Sequence, residues 1–114
     1  MERFAVRAAR RRAIIGEAID ELVAIARDAP DIREVVVFGS YAKNCVGPTS
    51  DLDVLVVRET DLPRSQRADD LLVAIRAGVG IDMIVVTPDE RMDVLPNTSF
   101  GATILAEGRC VYAA

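Results

Sequence analysis

Two aspartates, Asp51 and Asp53, stand two apart at the head of an apolar run, and ten residues separate Asp51 from an upstream Gly-Ser pair, Gly39 and Ser40. Strand periodicity turns both carboxylates to one face. Mg²⁺ prefers oxygen ligands, and is usually held by one or two carboxylates together with the phosphates of a substrate. Asp51 and Asp53 are therefore a candidate site for one or two such ions, with a nucleoside triphosphate supplying further oxygens. Gly39 lets the backbone turn and approach a ligand closely. The amides that follow it, at the start of a helix running from Ser40, can receive a phosphate tail. Ser40 adds a hydroxyl donor, and Lys43, the only lysine in the chain, adds a positive charge.

Asp82 is the third acid of interest. It lies near the start of the run Ile81 to Val86, among Ile81, Met83, Ile84, Val85 and Val86. A carboxylate buried in such surroundings is costly unless something pairs with it. Cations held by Asp51 and Asp53 would be that partner; an exposed strand end is the alternative. The chain contains no histidine, which excludes Ser-His and Cys-His nucleophilic catalysis and any His-ligated zinc. Carboxylates, lysine and arginine must carry the chemistry.

These residues need strands and turns to position them. Val35, Val36, Val37 and Phe38 form a β-branched run that stops at Gly39, and Leu52 to Val57 form a second. A short helix is expected over Ser40 to Asn44, and a loop over Val46 to Ser50 that delivers the aspartates. Asp61 is the expected N-cap of a helix with Pro63 just inside and a stripe at Ala68, Leu71, Leu72 and Ile75, ended by Gly78. That helix crosses over to the third strand, Ile81 to Val86. Thr87-Pro88-Asp89-Glu90 reads as the capped start of a short helix, and Asn97-Thr98-Ser99 as the cap of another over Phe100 to Ala106, with Gly108 stopping it. Arg109 to Tyr112 supply a final edge strand.

Ahead of all this, Val6 to Ala29 read as an amphipathic helix with a stripe at Ile14, Ile15, Ala18, Ile19, Leu22, Val23 and Ala26. Its early turns carry Arg3, Arg7, Arg10, Arg11 and Arg12. A solvated face with ordinary charge pairing and a docking surface for an acidic partner both remain open.

Gly-Ser, ten residues, then Asp-x-Asp resembles the signature of the DNA polymerase β-like nucleotidyltransferase superfamily. Four fixed residues at fixed spacing arise by accident in roughly one chain of this length in a thousand. The small size resembles the minimal nucleotidyltransferase (MNT) branch, and the ending Ile104 to Tyr112 is similar to the closing helix and strand of MNT domains. The resemblance runs from about Ile32 to Tyr112. It implies an α/β (α+β) nucleotidyltransferase fold, a small mixed β-sheet flanked by helices. Asp51 and Asp53 would bind two Mg²⁺ ions, Asp82 would bind the one that activates the acceptor hydroxyl, and Gly39, Ser40 and Lys43 would hold the triphosphate of ATP.

The resemblance further implies attack of an acceptor hydroxyl on the α-phosphate, with pyrophosphate leaving. MNT proteins are typically encoded beside a helical HEPN protein and form a toxin–antitoxin pair with it. The MNT member acts as antitoxin by moving AMP onto a tyrosine of the toxin. Two rivals stand beside that expectation: a binding-only antitoxin or scaffold, and a nucleotidyltransferase acting on a small molecule.

Composition sets the outer bounds. Residues 1–114 are expected to form a single domain, with 51% hydrophobic and 28% charged residues, in the globular range. A net charge of −4 argues against nucleic-acid binding over the whole surface, leaving a local basic patch open. Cys45 and Cys110 show no metal-type spacing and read as reduced thiols. No apolar run approaches a membrane span and no signal-like segment leads the chain, so a cytoplasmic protein is expected.

Overall fold

The computed structural model describes residues 2–114. A four-stranded mixed sheet forms the middle layer, with helices on both faces. The strands are β1 (Ile32–Phe38), β2 (Leu52–Arg58), β3 (Ile81–Val86) and β4 (Arg109–Ala113), ordered β3-β2-β1-β4. β1 pairs antiparallel with both β2 and β4, whereas β2 and β3 run parallel. This is the expected α+β architecture, with β4 at one edge.

Side-chain alternation divides the core between the faces. Val35 and Val37 of β1 and Leu52, Val54 and Val56 of β2 pack beneath helix α1 (Glu2–Arg27) and α2 (Asp69–Ala74). On α1, Ile15, Ala18, Leu22 and Ala26 are buried at helical spacing, so this stripe seats the helix on the sheet. Each fully buried Ile or Leu stabilises by about 1.5–3 kcal/mol. On the opposite face, Val36, Leu55, Val57 and Val86 meet Leu95 and Ile104, under α3 (Pro88–Asp93) and α4 (Ser99–Glu107). Covering both faces explains why β1 and β2 read as near-continuous apolar runs.

Three expectations about local structure need correcting. Ser40 to Asn44 is one turn, closed by the amide of Asn44 on the Tyr41 carbonyl (3.1 Å) and that of Cys45 on the Ser40 carbonyl (2.9 Å). Asn44 sits at φ 59°, so the turn ends in a Schellman-type reversal and cannot extend into a helix. Asp61 does not cap α2, which follows Ala68 with no side-chain cap, after a short 3-10 turn over Arg64–Gln66. The buried guanidinium of Arg67 organises this segment. It donates to the Leu62 carbonyl (2.9 Å) and to Glu90 (2.7 Å), so tertiary bonds replace the expected first turn. α2 also ends at extended Ile75, before Gly78.

The later caps match the expected ones. The Thr87 hydroxyl accepts from the Glu90 amide, and Glu90 accepts from the Thr87 amide, forming a capping box at α3. Thr98 caps α4 by accepting from the Gly101 amide, and Gly108 ends it. Among the described residues, no helix is long and apolar enough to cross a membrane.

Candidate active site

The site lies where β1 leaves the sheet and β2 and β3 enter it. Phe38, the last residue of β1, pairs with Asp53, and Asp53 pairs across the parallel ladder with Asp82. On both β2 and β3, residues alternating with the α1-facing set turn toward α4, which places Asp53 and Asp82 side by side on that face. Asp51 precedes them at the exposed lip of the sheet, beside Gly80, whose carbonyl accepts from the Leu52 amide (2.9 Å).

Two glycines make room for the acids. Gly39 turns at φ +74°, and a Cβ on it would collide with Oδ2 of Asp53 and lie 3.0 Å from its Cγ. A Cβ on Gly80 would lie 2.6 Å from Oδ1 of Asp51. A side chain at either position would contest the space of a carboxylate. The pKa of Asp53 is raised above its ordinary value, first by burial, then by the negative charges of Asp82 and Asp51. The acids feel one another, and a cation among them would relieve that repulsion.

Beside the acids opens a pocket of about 340 Å³, lined by Gly39, Lys43, Asp53 and Asp82 together with Phe38, Phe100, Thr103 and Glu107. Ser40 and Asp51 lie outside this lining. Asp82 is exposed at its strand end, so its carboxylate faces solvent and needs no buried partner. Among the described residues, no group of three acids, cysteines or histidines is gathered closely enough to enclose a metal ion. The donors are nevertheless all carboxylate oxygens, the type suited to Mg²⁺. Asp53 shares its field with both other acids, and two glycines clear space around them. The residue set fits such an ion.

The turn after β1 carries further donors. The amides of Lys43, Asn44 and Cys45 are spent within the turn, whereas those of Ser40, Tyr41 and Ala42 have no protein acceptor among the described residues. Three successive free amides form an anion-receptive turn even without a full helix behind them. Lys43 forms an ion pair with Glu107 at the end of α4 (3.6 Å), and Phe38 meets Phe100 edge to face with ring centroids 5.8 Å apart. Sequence reading did not single out Phe100 and Glu107. They are seven apart on α4, two turns along one face, and that spacing is the signal that could have linked them.

Carboxylates in register at one end of a mixed sheet, beside a glycine-led turn with free amides, are an arrangement suited to cation-assisted phosphate chemistry. The chain belongs to the nucleotidyltransferase domain family, whose model matches residues 19–103. It is 34% identical, over 71% of its length and 79% of the relative's, to a Methanocaldococcus jannaschii chain whose name proposes a protein adenylyltransferase. Its fold is similar to a crystal structure of a proposed nucleotidyltransferase from Sulfolobus solfataricus, with TM-score 0.64 and 22% identity. That alignment covers 94% of this chain and 87% of the other. A toxin–antitoxin structure with AMP-PNP aligns with TM-score 0.56 and 20% identity, covering 84% and 73% of the two chains. A tyrosine-to-alanine mutant of the MntA–HpeT toxin–antitoxin aligns at 0.52 and 20%, covering 83% and 72%.

Proposed function

We propose that this nucleotidyltransferase moves AMP from ATP to a hydroxyl of a partner protein, a tyrosine of a HEPN-family toxin, and thereby acts as an antitoxin. The observation that carries the chemistry is the in-register pair Asp53 and Asp82, facing a pocket that Gly39 and Lys43 also line. The choice of a protein acceptor is supported by the name of the Methanocaldococcus jannaschii relative. The toxin–antitoxin setting is supported by likeness of fold to one chain of the MntA–HpeT toxin–antitoxin structure.

Gly39 and Ser40 open the turn that receives the triphosphate, through the free amides of Ser40, Tyr41 and Ala42, and Lys43 leaves Glu107 to add its charge. Asp51, Asp53 and Asp82 would hold two Mg²⁺ ions, which when bound supply charge stabilisation for the attacking and leaving oxygens. The acceptor oxygen forms a bond to the α-phosphorus as the bond to the pyrophosphate oxygen breaks. The hydroxyl proton passes to Asp82, which is exposed at the pocket.

The test is incubation with ATP labelled at the α-phosphate, Mg²⁺ and the protein encoded next door, with Asp51→Ala/Asp53→Ala as control. A labelled partner band that disappears in the control is the expected result. A stable, neutralising complex with no label on the partner would instead establish a binding-only antitoxin. Label on a small molecule alone would move the acceptor out of the protein class.

A further inference from the structure

The leading half of α1 has no place in the chemistry above. Residues 3–7 are exposed throughout, and the first buried residue of the helix is Ile15. Nine residues, 2–10, precede Arg11, the first residue of α1 with a side-chain bond to the body, a length of about 14 Å at 1.5 Å per residue. The leading half of the helix carries Arg3, Arg7, Arg10, Arg11 and Arg12. Two of these are engaged: Arg11 donates to the Pro48 carbonyl (3.0 Å), and Arg12 stacks over Tyr41 at 4.5 Å from the ring centroid. Among the described residues, Arg3, Arg7 and Arg10 make no side-chain hydrogen bond or ion pair.

Spacing of four and three puts Arg3, Arg7 and Arg10 along one side of the helix. Arg7, Arg10 and Arg11 line a groove of about 220 Å³ with Ile14, Pro48 and Gly78. Two of its lining residues belong to segments that run into the site. Pro48 lies in the loop that runs into Asp51, and Gly78 is two residues before Gly80, which abuts the Asp51 carboxylate. A chain lying in the groove would touch both segments that lead to Asp51 and Gly80.

We infer that this groove, extended along the same side of α1 to Arg3, docks an acidic, tyrosine-bearing segment of the protein acceptor, laid along Arg3, Arg7 and Arg10 toward Asp51. The inference rests on the reading of the protein as a protein-modifying transferase. Charge complementarity selects the occupant: three arginines that make no ion pair among the described residues, on a chain of net charge −4, form a local site for a flexible anion. Phe4 (63% exposed) and Val6 (56% exposed) stand among them, and Arg with aromatic and apolar anchors is the composition of protein interfaces. Arginine also forks onto carboxylates in bidentate pairs.

The experiment measures binding by fluorescence anisotropy, with labelled poly(Glu,Tyr) as probe and a short single-stranded RNA of matched charge as competitor class. Expected is salt-sensitive binding of poly(Glu,Tyr), weakened about tenfold or more in Arg3→Ala/Arg7→Ala/Arg10→Ala and only partly recovered in the triple Arg→Lys variant, which keeps the charge without the fork. Unchanged thermal melting of both variants shows that the fold is intact. The inference is overturned if wild-type protein does not bind the polymer, or if the alanine variant binds it as tightly. Tighter binding of the RNA through the same three arginines would also overturn it, in favour of a nucleic acid. Binding is read without turnover, so arginine-dependent binding without AMP transfer to any protein would sink the proposed activity and leave the docking groove standing.

Discussion

Gly39 and Asp53 share one space: the glycine turns at φ +74° where a Cβ would strike the aspartate carboxylate. The end of β1 and the start of β2 are fitted to each other at the point where the pocket opens. Gly39→Ala should cost about 1–2 kcal/mol through the left-handed backbone alone. It should also push the Asp53 carboxylate aside, lowering nucleotide transfer about 100-fold or more. Urea unfolding and the label-transfer assay, run side by side, read the two effects separately.

Asp53 also shows the signature of a site strained for function. Its charge is disfavoured by burial and by two neighbouring acids, so Asp53→Asn should leave the melting temperature in metal-free buffer unchanged or raised. The same variant should lose transfer by about 100-fold or more. A variant that melts lower and retains activity would remove Asp53 from the site.

Lys43 and Glu107 offer a test of nucleotide capture. Both side chains are about half exposed, so their ion pair adds less than about 1 kcal/mol to stability. Glu107→Gln should therefore fold normally while freeing the lysine, and KM for ATP should fall. Lys43→Met should raise it. Equal KM values in all three proteins would place Lys43 outside the phosphate site.

Away from the pocket, Glu90 joins the capping box of α3 to Arg64 and Arg67. Its pKa is held down at about 2, most by the Thr87 amide and next by its arginine partners, against the opposing effect of burial. A depressed acid stabilises above its unfolded value and loses that contribution as pH falls through the folded one. Stability should thus decline between about pH 4.5 and about pH 2, and Glu90→Gln should flatten that part of the curve. Glu90→Ala leaves the largely buried Arg67 short of a partner and should cost about 3 kcal/mol at neutral pH, read by urea unfolding.

Much of this was legible in the sequence, for identifiable reasons. The β-branched runs 35–38, 52–57 and 81–86 declare strands, and period two then places Asp51 and Asp53 on one face. Thr87 and Thr98 announce caps because their bonds are local. What failed depends on distant partners, or on a single local reversal of the backbone. Asp61 lost its capping role because Arg67 reaches across to Glu90, and the turn at Ser40 stops after one revolution because Asn44 turns left-handed. Asp82 sits in an apolar run yet is exposed, since it occupies the open end of an edge strand. Phe100 and Glu107 enter the pocket only because α4 folds back over the sheet.

The antiparallel ladder of β1 and β2 has one more implication. Phe38 is matched to Asp53 by strand register, so the turn and the acids meet whatever path the chain takes between them. The ten residues from Tyr41 to Ser50 form a tether rather than a ruler. Segments of other lengths grafted between Asn44 and Thr49 would alter the groove beside α1, which Pro48 lines, while the acids kept their places. Acceptor choice could then diverge by loop exchange, with the chemistry carried along unchanged.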